Sequence, residues 1–288
     1  MNFLGSVALI SGIIGFACSH RYFNTKSFRI RISACFLFGV LAIPTILFAS
    51  YYLHILPERA WFYTLRSWSG SELFAVFLGA AGGVLATLLP RFILVIPLGL
   101  TVLTASVPYL KMIMNPLRVA DLKDRWEGAA CLQSTESTCG PASSASILRF
   151  LGEDASESEI ARSAYSTASG TEAWYLARYF RARGLTPKFD FHSTFVPSIP
   201  MPSIVGVRLG SFGHFIAVLK ISDGIVTFVD PLSGKRELKT EEVLRAYTLT
   251  GFHLSITNTM PNKTVVATAD NVSRSLRSGR PASAVPHL

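Results

Sequence analysis

Four side chains in this 288-residue sequence have the types and spacing for thiol-based acyl transfer: Gln133, Cys139, His214 and Asp230. A cysteine nucleophile needs a lowered thiol pKa, a base to form the thiolate, and donors for the oxyanion of a tetrahedral intermediate. Cys139 lies in "QSTESTCGPASSASILRFLG", where Pro141 near a first helical turn puts the cysteine at a helix start, a position that favours an anion. His214 follows the turn-like "GSFG" and opens an apolar strand, so its imidazole stands at a strand end, able to face that helix. Asp230 closes the next strand, and a hairpin turned at Asp223 and Gly224 sets the first residue of one strand against the last of the other. Asp230 can then orient the second ring nitrogen of His214. Gln133 brings a side-chain NH2 that can donate to the oxyanion beside the backbone N–H of Cys139. Singly, each has a bland reading: a common CG pair, a structural histidine, an aspartate starting a turn before Pro231. Together in one chain order they make coincidence the weaker account.

The elements that must hold these residues begin near Met114, where the composition turns to an α+β pattern. The helix starting at Cys139 carries Ala142, Ala145, Leu148 and Leu151 on one side and stops at Gly152. Ser156 and Glu159 have capping-box spacing for a second helix, and a third runs from about Thr171 through Trp174 and Tyr179 to Gly184. Four strands follow: "SIVGVRL", "HFIAVLKI", "GIVTFVD" and "GFHLSIT". Trp126 and Trp174 read as packing residues. His192 and His253 read as surface or strand residues and His54 as interfacial. The Cys and His spacings hold no zinc pattern, so no metal or cofactor is expected. The four cysteines are too few for a disulfide scaffold, and a Cys131–Cys139 bridge is disfavoured.

Half of the residues are hydrophobic, too apolar for an ordinary soluble protein of this size. Four stretches free of Asp, Glu, Lys and Arg read as membrane spans: Phe3 to Cys18, Ile32 to Leu56, Leu73 to Leu89 and Phe92 to Leu110. The first has neither the basic n-region nor the A-x-A site of a cleaved signal. Gly79 and Gly83 have GxxxG spacing, read as intramolecular packing. Only Pro90 and Arg91 separate the third and fourth spans, which predicts a tight hairpin. The net charge of +9 belongs to the span-flanking loops and the tail, because residues 115–258 are balanced at fifteen basic against fifteen acidic. That distribution excludes nucleic acid as partner. Arg21, Lys26, Arg29 and Arg31 follow the first span; retained inside, they place the C-terminal domain on the non-cytoplasmic side of a prokaryotic cytoplasmic membrane. Lys111, Arg118, Lys123 and Arg125 after the fourth span pull the other way. The division expected is a membrane region over 1–113, a globular domain over 114–258, and a basic disordered tail over 259–288.

"QSTESTCGPASSASILRFLG" and "GHFIAVLKISDGIVTFVDPLSG" resemble the bacteriocin-processing cysteine endopeptidases, papain-like domains that cut after double-glycine leaders in peptide-exporting ABC transporters. The resemblance covers about Trp126 to Thr257. It implies a papain-like α+β fold, with Cys139 as nucleophile, His214 as general base and acid, Asp230 as orienter and Gln133 as oxyanion donor. The chain departs from the pattern at Thr138, where transporter-linked members usually carry Asp. It also departs in architecture: the membrane part comes first, four spans are too few for half an exporter, and no GxxxxGK[ST] phosphate loop is present, so no ATP is expected. The chemistry carries over and the double-glycine specificity does not. The function expected is a membrane-anchored cysteine endopeptidase acting on a peptide or protein substrate. Set against it are a catalytically silent papain-like domain binding a peptide or a membrane-protein partner, and an acyl transferase using the same thiol.

Overall fold

The computed structural model describes residues 3–52, 58–196 and 198–258. The expected tail, His54 and the end of the second expected span lie outside the described residues. The chain begins with helices α1 (Phe3–Phe23), α2 (Phe28–Leu41), α3 (Ile43–Tyr51), α4 (Ala60–Arg66), α5 (Ala75–Leu88) and α6 (Val95–Met114). Three helical stretches are long and apolar enough to cross a membrane: Phe3–Phe23, Ser71–Leu88 and Arg91–Met114. The second expected span is two helices, α2 and α3, bent by 46° and counting as a fourth span if they cross together. Pro44 in the first turn of α3 accounts for the break, since its ring supplies no N–H and crowds the preceding turn.

The glycines of α1 and α5 are used within the chain. A Cβ on Gly79 would strike the backbone oxygen of Gly12, one on Gly83 that of Phe16, and one on Gly15 that of Val76. Backbones this close are what small-xxx-small spacing permits. The third and fourth spans form the expected hairpin, with Gly82 of α5 against Pro97 and Thr101 of α6.

The C-terminal part is mixed helix and sheet. A hairpin of β1 (Arg125–Glu127) and β2 (Ala130–Leu132) leads into α7 (Cys139–Phe150), α8 (Glu157–Ser163) and α9 (Ala173–Ala182). Six strands, β3 (Leu185–Phe191), β4 (Ser203–Leu209), β5 (Phe212–Ser222), β6 (Ile225–Asp230), β7 (Gly234–Lys239) and β8 (Thr248–Asn258), form an antiparallel sheet in the order β3-β8-β4-β5-β6-β7. Helix α10 (Thr240–Ala246) joins β7 to β8. One face of the sheet, with Ala217, Val229 and Leu254, packs under α7 and α9; the other buries Val205, Ile216, Phe228, Val243 and Tyr247.

The first core is shared between the two parts of the chain. Phe62 and Tyr63 of α4 enter the same buried cluster as Trp174, Phe189 and Phe252, with the Tyr63 ring 5.5 Å from Trp174 and 5.6 Å from Phe252. Trp174 is thus a packing residue. Arg66, only 1% exposed, ends α4 and donates to Glu72, Ser71, Tyr109 and Tyr175, while Arg178 of α9 donates to the same Glu72 oxygen at 2.9 Å.

Candidate active site

Cys139 is the first residue of α7 and is buried. Glycine suits the next position, Gly140, because a Cβ there would lie 3.1 Å from the Leu176 side chain of α9 and 3.4 Å from that of Phe215 of β5, closer than ordinary contact. Ser143 of the next turn donates to the Phe215 carbonyl at 3.1 Å, fastening the helix that begins at Cys139 beside the strand that carries His214. The sequence suggests one apolar stripe on this helix, yet every residue from Cys139 to Leu148 is buried. Its serines are accommodated by local bonds, Ser144 to the Gly140 carbonyl and Ser146 to the Ala142 carbonyl.

His214 and Asp230 meet in a buried contact, Nε2 to Oδ1 at 2.9 Å. The turn between their strands has Asp223 at φ 53° and Gly224 at φ 73°, as a two-residue hairpin requires. The pairing differs from the simple expectation of first residue facing last. Ser222 pairs with Ile225 and Lys220 with Thr227, but the register shifts at Leu219, after which Val218 pairs with Phe228 and Ala217 with Val229. Carried on, that register sets Asp230 level with Ile216, diagonal to His214 and on its side of the sheet. Had the register of Lys220 with Thr227 run on with Leu219 paired in turn, Asp230 would stand level with Ala217, on the opposite face from His214, since one step of register reverses every side chain. The bulge is therefore what lets the two side chains meet.

Asp230 has further donors that the sequence did not reveal. Tyr247, just after α10, donates its hydroxyl to Oδ2 at 2.6 Å, and the Leu232 N–H donates to Oδ1 at 2.9 Å. Burial opposes ionisation of Asp230, but bonds from His214, Tyr247 and Leu232 outweigh it and hold the carboxyl at about 2. Burial likewise opposes a charged imidazole, yet hydrogen bonds with Asp230 and Cys139 raise His214 to about 9. With Asp230 ionised, Nε2–H is the donor in the pair and Nδ1 is left for the cysteine.

Gln133 is buried in the loop between β2 and α7. Its N–H donates to the carbonyl of Pro231, beside Asp230, and its own carbonyl accepts from Arg125 at 2.9 Å. One side-chain N–H goes to the Thr135 carbonyl at 2.8 Å, and Oε1 is buried with no hydrogen-bond partner among the described residues. No hydrogen bond joins the Gln133 side chain to Cys139 among the described residues; its second amide hydrogen is the one left to serve a ligand. Thr138 is fully buried, and its hydroxyl bonds both the N–H and the carbonyl of Thr135, closing the same turn.

His253 is buried in β8 with Nε2 on the His192 carbonyl, and burial lowers its pKa. The guanidinium of Arg149 lies 3.4 Å from the centre of the Trp126 ring. Cys131 and Cys139 are free thiols. The expected capping box is half made: Ser156 accepts from the Glu159 N–H, but the Glu159 carboxylate turns to Tyr179 and Arg183 instead. No group of three or more metal-ligating side chains occurs among the described residues.

Residues 129–260 match the model of the peptidase C39 family. An uncharacterized protein of Methanothermobacter thermautotrophicus is 30% identical over 122 residues, covering 41% of this chain and 81% of that protein. The chain belongs to the peptidase C39 family. A second uncharacterized protein, from Methanothermobacter marburgensis, is 29% identical over 116 residues, 40% of this chain and 80% of its own. Among solved structures, a double-glycine-motif protease from an AMS/PCAT transporter in complex with its leader peptide is 21% identical, covering 45% of this chain and 91% of that one, with a TM-score of 0.39. The peptidase domain of Streptococcus ComA, an ABC transporter of a quorum-sensing pathway, is 18% identical over 44% of this chain and 96% of its own, with a TM-score of 0.38. The C39 domain thus follows a set of apolar helices, three or four of which have the length and composition of membrane spans.

Proposed function

We propose that this C39 chain is a membrane-anchored cysteine endopeptidase that cleaves a peptide or protein substrate presented near the bilayer, with Cys139, His214, Asp230 and Gln133 as its working residues. The observation that carries this is the buried His214–Asp230 contact at 2.9 Å, with an imidazole whose pKa is raised by both Asp230 and Cys139. His214 takes the thiol proton on Nδ1, and the Cys139 thiolate adds to the scissile carbonyl carbon. Gln133 and the Cys139 N–H donate to the resulting oxyanion. His214 then delivers its proton to the amine nitrogen as the C–N bond breaks. It next deprotonates a water that attacks the thioester, releasing a carboxylate and restoring the thiol. Asp230, held by Tyr247 and Leu232, fixes the ring through Nε2.

The orientation proposed puts the peptidase on the non-cytoplasmic side. Four crossings leave α4 and the C39 domain on the same side, in keeping with their shared core. On the opposite side lie Arg21, Lys26, Arg29, Arg31 and Arg91, with Arg31 donating to the Thr87 carbonyl at 2.6 Å. Basic residues without acidic ones mark the cytoplasmic face. Protease added from outside to spheroplasts should cut within 114–258; cleavage only after lysis contradicts the orientation. For the activity, Cys139→Ser should abolish peptide hydrolysis and labelling by a thiol-directed peptidyl probe. A wild-type protein that shows neither leaves the reading without support.

A further inference from the structure

Glu157, the first residue of α8, is a carboxylate with 0% exposure, and no cation pairs with it among the ion pairs of the described residues. A buried carboxylate is costly unless both oxygens are hydrogen-bonded. Both of its oxygens are used on one residue: Oε1 accepts from the Ser134 N–H at 2.7 Å and Oε2 from the Ser134 hydroxyl at 2.5 Å. The Ser134 oxygen in turn accepts from the Lys123 N–H at 2.8 Å. A matching clamp holds α8 in place, Asp124 taking the N–H and the hydroxyl of Ser158 at 2.7 and 2.6 Å. Ser134 immediately follows Gln133, whose side chain bonds, among the described residues, only to its own loop at Thr135. The loop cannot turn about Ser134 without breaking both bonds to a buried charge.

We infer that Glu157 is a positioning residue for the oxyanion donor: by gripping Ser134 through N–H and hydroxyl it fixes the Gln133 amide where the tetrahedral intermediate forms. This rests on the peptidase reading above. Glu157 has no part in the His214–Asp230 pair, so the loss should fall on oxyanion stabilisation and leave thiol reactivity intact. Two reagents separate these. Iodoacetamide alkylates a thiolate without forming an oxyanion. A peptide aldehyde adds to the same thiolate, and its carbonyl oxygen must then be held by the oxyanion donors.

The test uses the full chain in detergent, with alkylation read at Cys139 by peptide mapping. Cys131 makes a poor competitor, because burial and the Glu157 carboxylate push its thiol up to about 12. Removing an oxyanion donor costs about 100- to 1,000-fold in kcat, so Gln133→Ala should lose that much. Glu157→Gln, which sets an amide against the Ser134 donors, should lose about 10- to 100-fold in kcat and in aldehyde affinity. KM and the alkylation rate should stay within about 3-fold of wild type, as expected when an interaction made only in the transition state is lost. The double variant should be no slower than Gln133→Ala, since the clamp acts only through that residue. Ser134→Ala keeps the buried charge and one of the two bonds, and should give the same pattern at about 3- to 10-fold even where Glu157→Gln fails to fold. Alkylation falling in step with hydrolysis, losses that multiply in the double variant, or unchanged kcat in Glu157→Gln would each overturn the inference. A wild-type chain that neither hydrolyses peptides nor binds the aldehyde overturns the peptidase reading itself, and the clamp with it.

Discussion

In the proposed mechanism the proton on His214 sets the working range of the site. Its folded pKa of about 9 lies above the ordinary 6.5 of a histidine, and that of Asp230, about 2, lies below the ordinary 3.8 of an aspartate. For a raised group the stabilisation is complete below the unfolded pKa and is lost as pH climbs through the folded one; for a depressed acid it is complete above the unfolded pKa and is lost as pH falls through the folded one. The pair therefore contributes fully between about pH 4 and 6.5, fading above as His214 deprotonates and below as Asp230 protonates. We expect the thermal stability difference between wild type and His214→Ala to be largest in that window, and turnover to fall as pH rises through about 9, where the imidazolium that protonates the leaving amine is lost. Scanning calorimetry and a pH–rate profile check both; a rate still climbing beyond pH 10 would contradict the assignment. Cys139 and Asp230 were legible because Pro141 and the hairpin turn at Asp223 and Gly224 mark their element ends, and Gln133 only by its place ahead of Cys139; His214, expected to open its strand, is the third residue of β5. Tyr247 was not legible, since nothing in "RAYTLT" signals that a hydroxyl after a short helix reaches back to a strand end across the sheet.

At the scale of elements, the long apolar or periodic segments were legible and the short or charged ones were not. Strands β4, β5, β6 and β8 and helices α7, α8 and α9 follow from hydrophobic runs, caps and glycine stops. Strand β7, "GKRELK", is an exposed charged edge, and β3, "LTPKFDF", carries Pro187 within an edge strand, where no inward N–H is needed. The bulge at Leu219 leaves no mark in "HFIAVLKI", although it decides which face Asp230 occupies; register is set by the packing of both faces, which a single strand does not encode. In the membrane part, GxxxG spacing correctly implied close packing, and the contact falls between α1 and α5. Gly79→Ala would drive a methyl into the Gly12 carbonyl and should cost about 1–3 kcal/mol, the usual penalty of overpacking. Gly99→Ala, with nothing within 4 Å of the added carbon, should be near neutral in the same detergent melt. Equal melting of the two variants would count against the α1–α5 packing.

At the scale of the molecule, the helices and the C39 domain are joined by more than a linker. Glu72 receives Arg66 at 3.2 Å and Arg178 at 2.9 Å, with Arg66 also donating to Tyr109 of α6 and Tyr175 of α9. Two cations on one buried carboxylate make its removal expensive: Glu72→Gln should destabilise the full chain by about 3–5 kcal/mol, because the arginines would remain buried without a counter-charge. Chemical denaturation in detergent would measure this, and a change under 1 kcal/mol would show the network to be incidental. Composition betrayed the membrane region, but this junction was hidden, because Phe62, Tyr63, Arg66 and Glu72 sit in a short interspan segment that reads as an ordinary loop. It ties the N-terminal helices to the candidate site, since α9, which meets α4, also carries the Leu176 side chain that lies against Gly140 beside Cys139.

The central claim, that Cys139 forms a thioester with a substrate peptide which water then resolves, is tested most directly by acid-quenching the full chain during turnover of a peptide mixture in 18O-labelled water. Mass spectrometry should find an acyl adduct on Cys139 and one 18O in the new carboxylate of each N-terminal fragment, both absent from Cys139→Ala. Products formed by Cys139→Ala at the wild-type rate, or no adduct and no labelled carboxylate from the wild type, would contradict it.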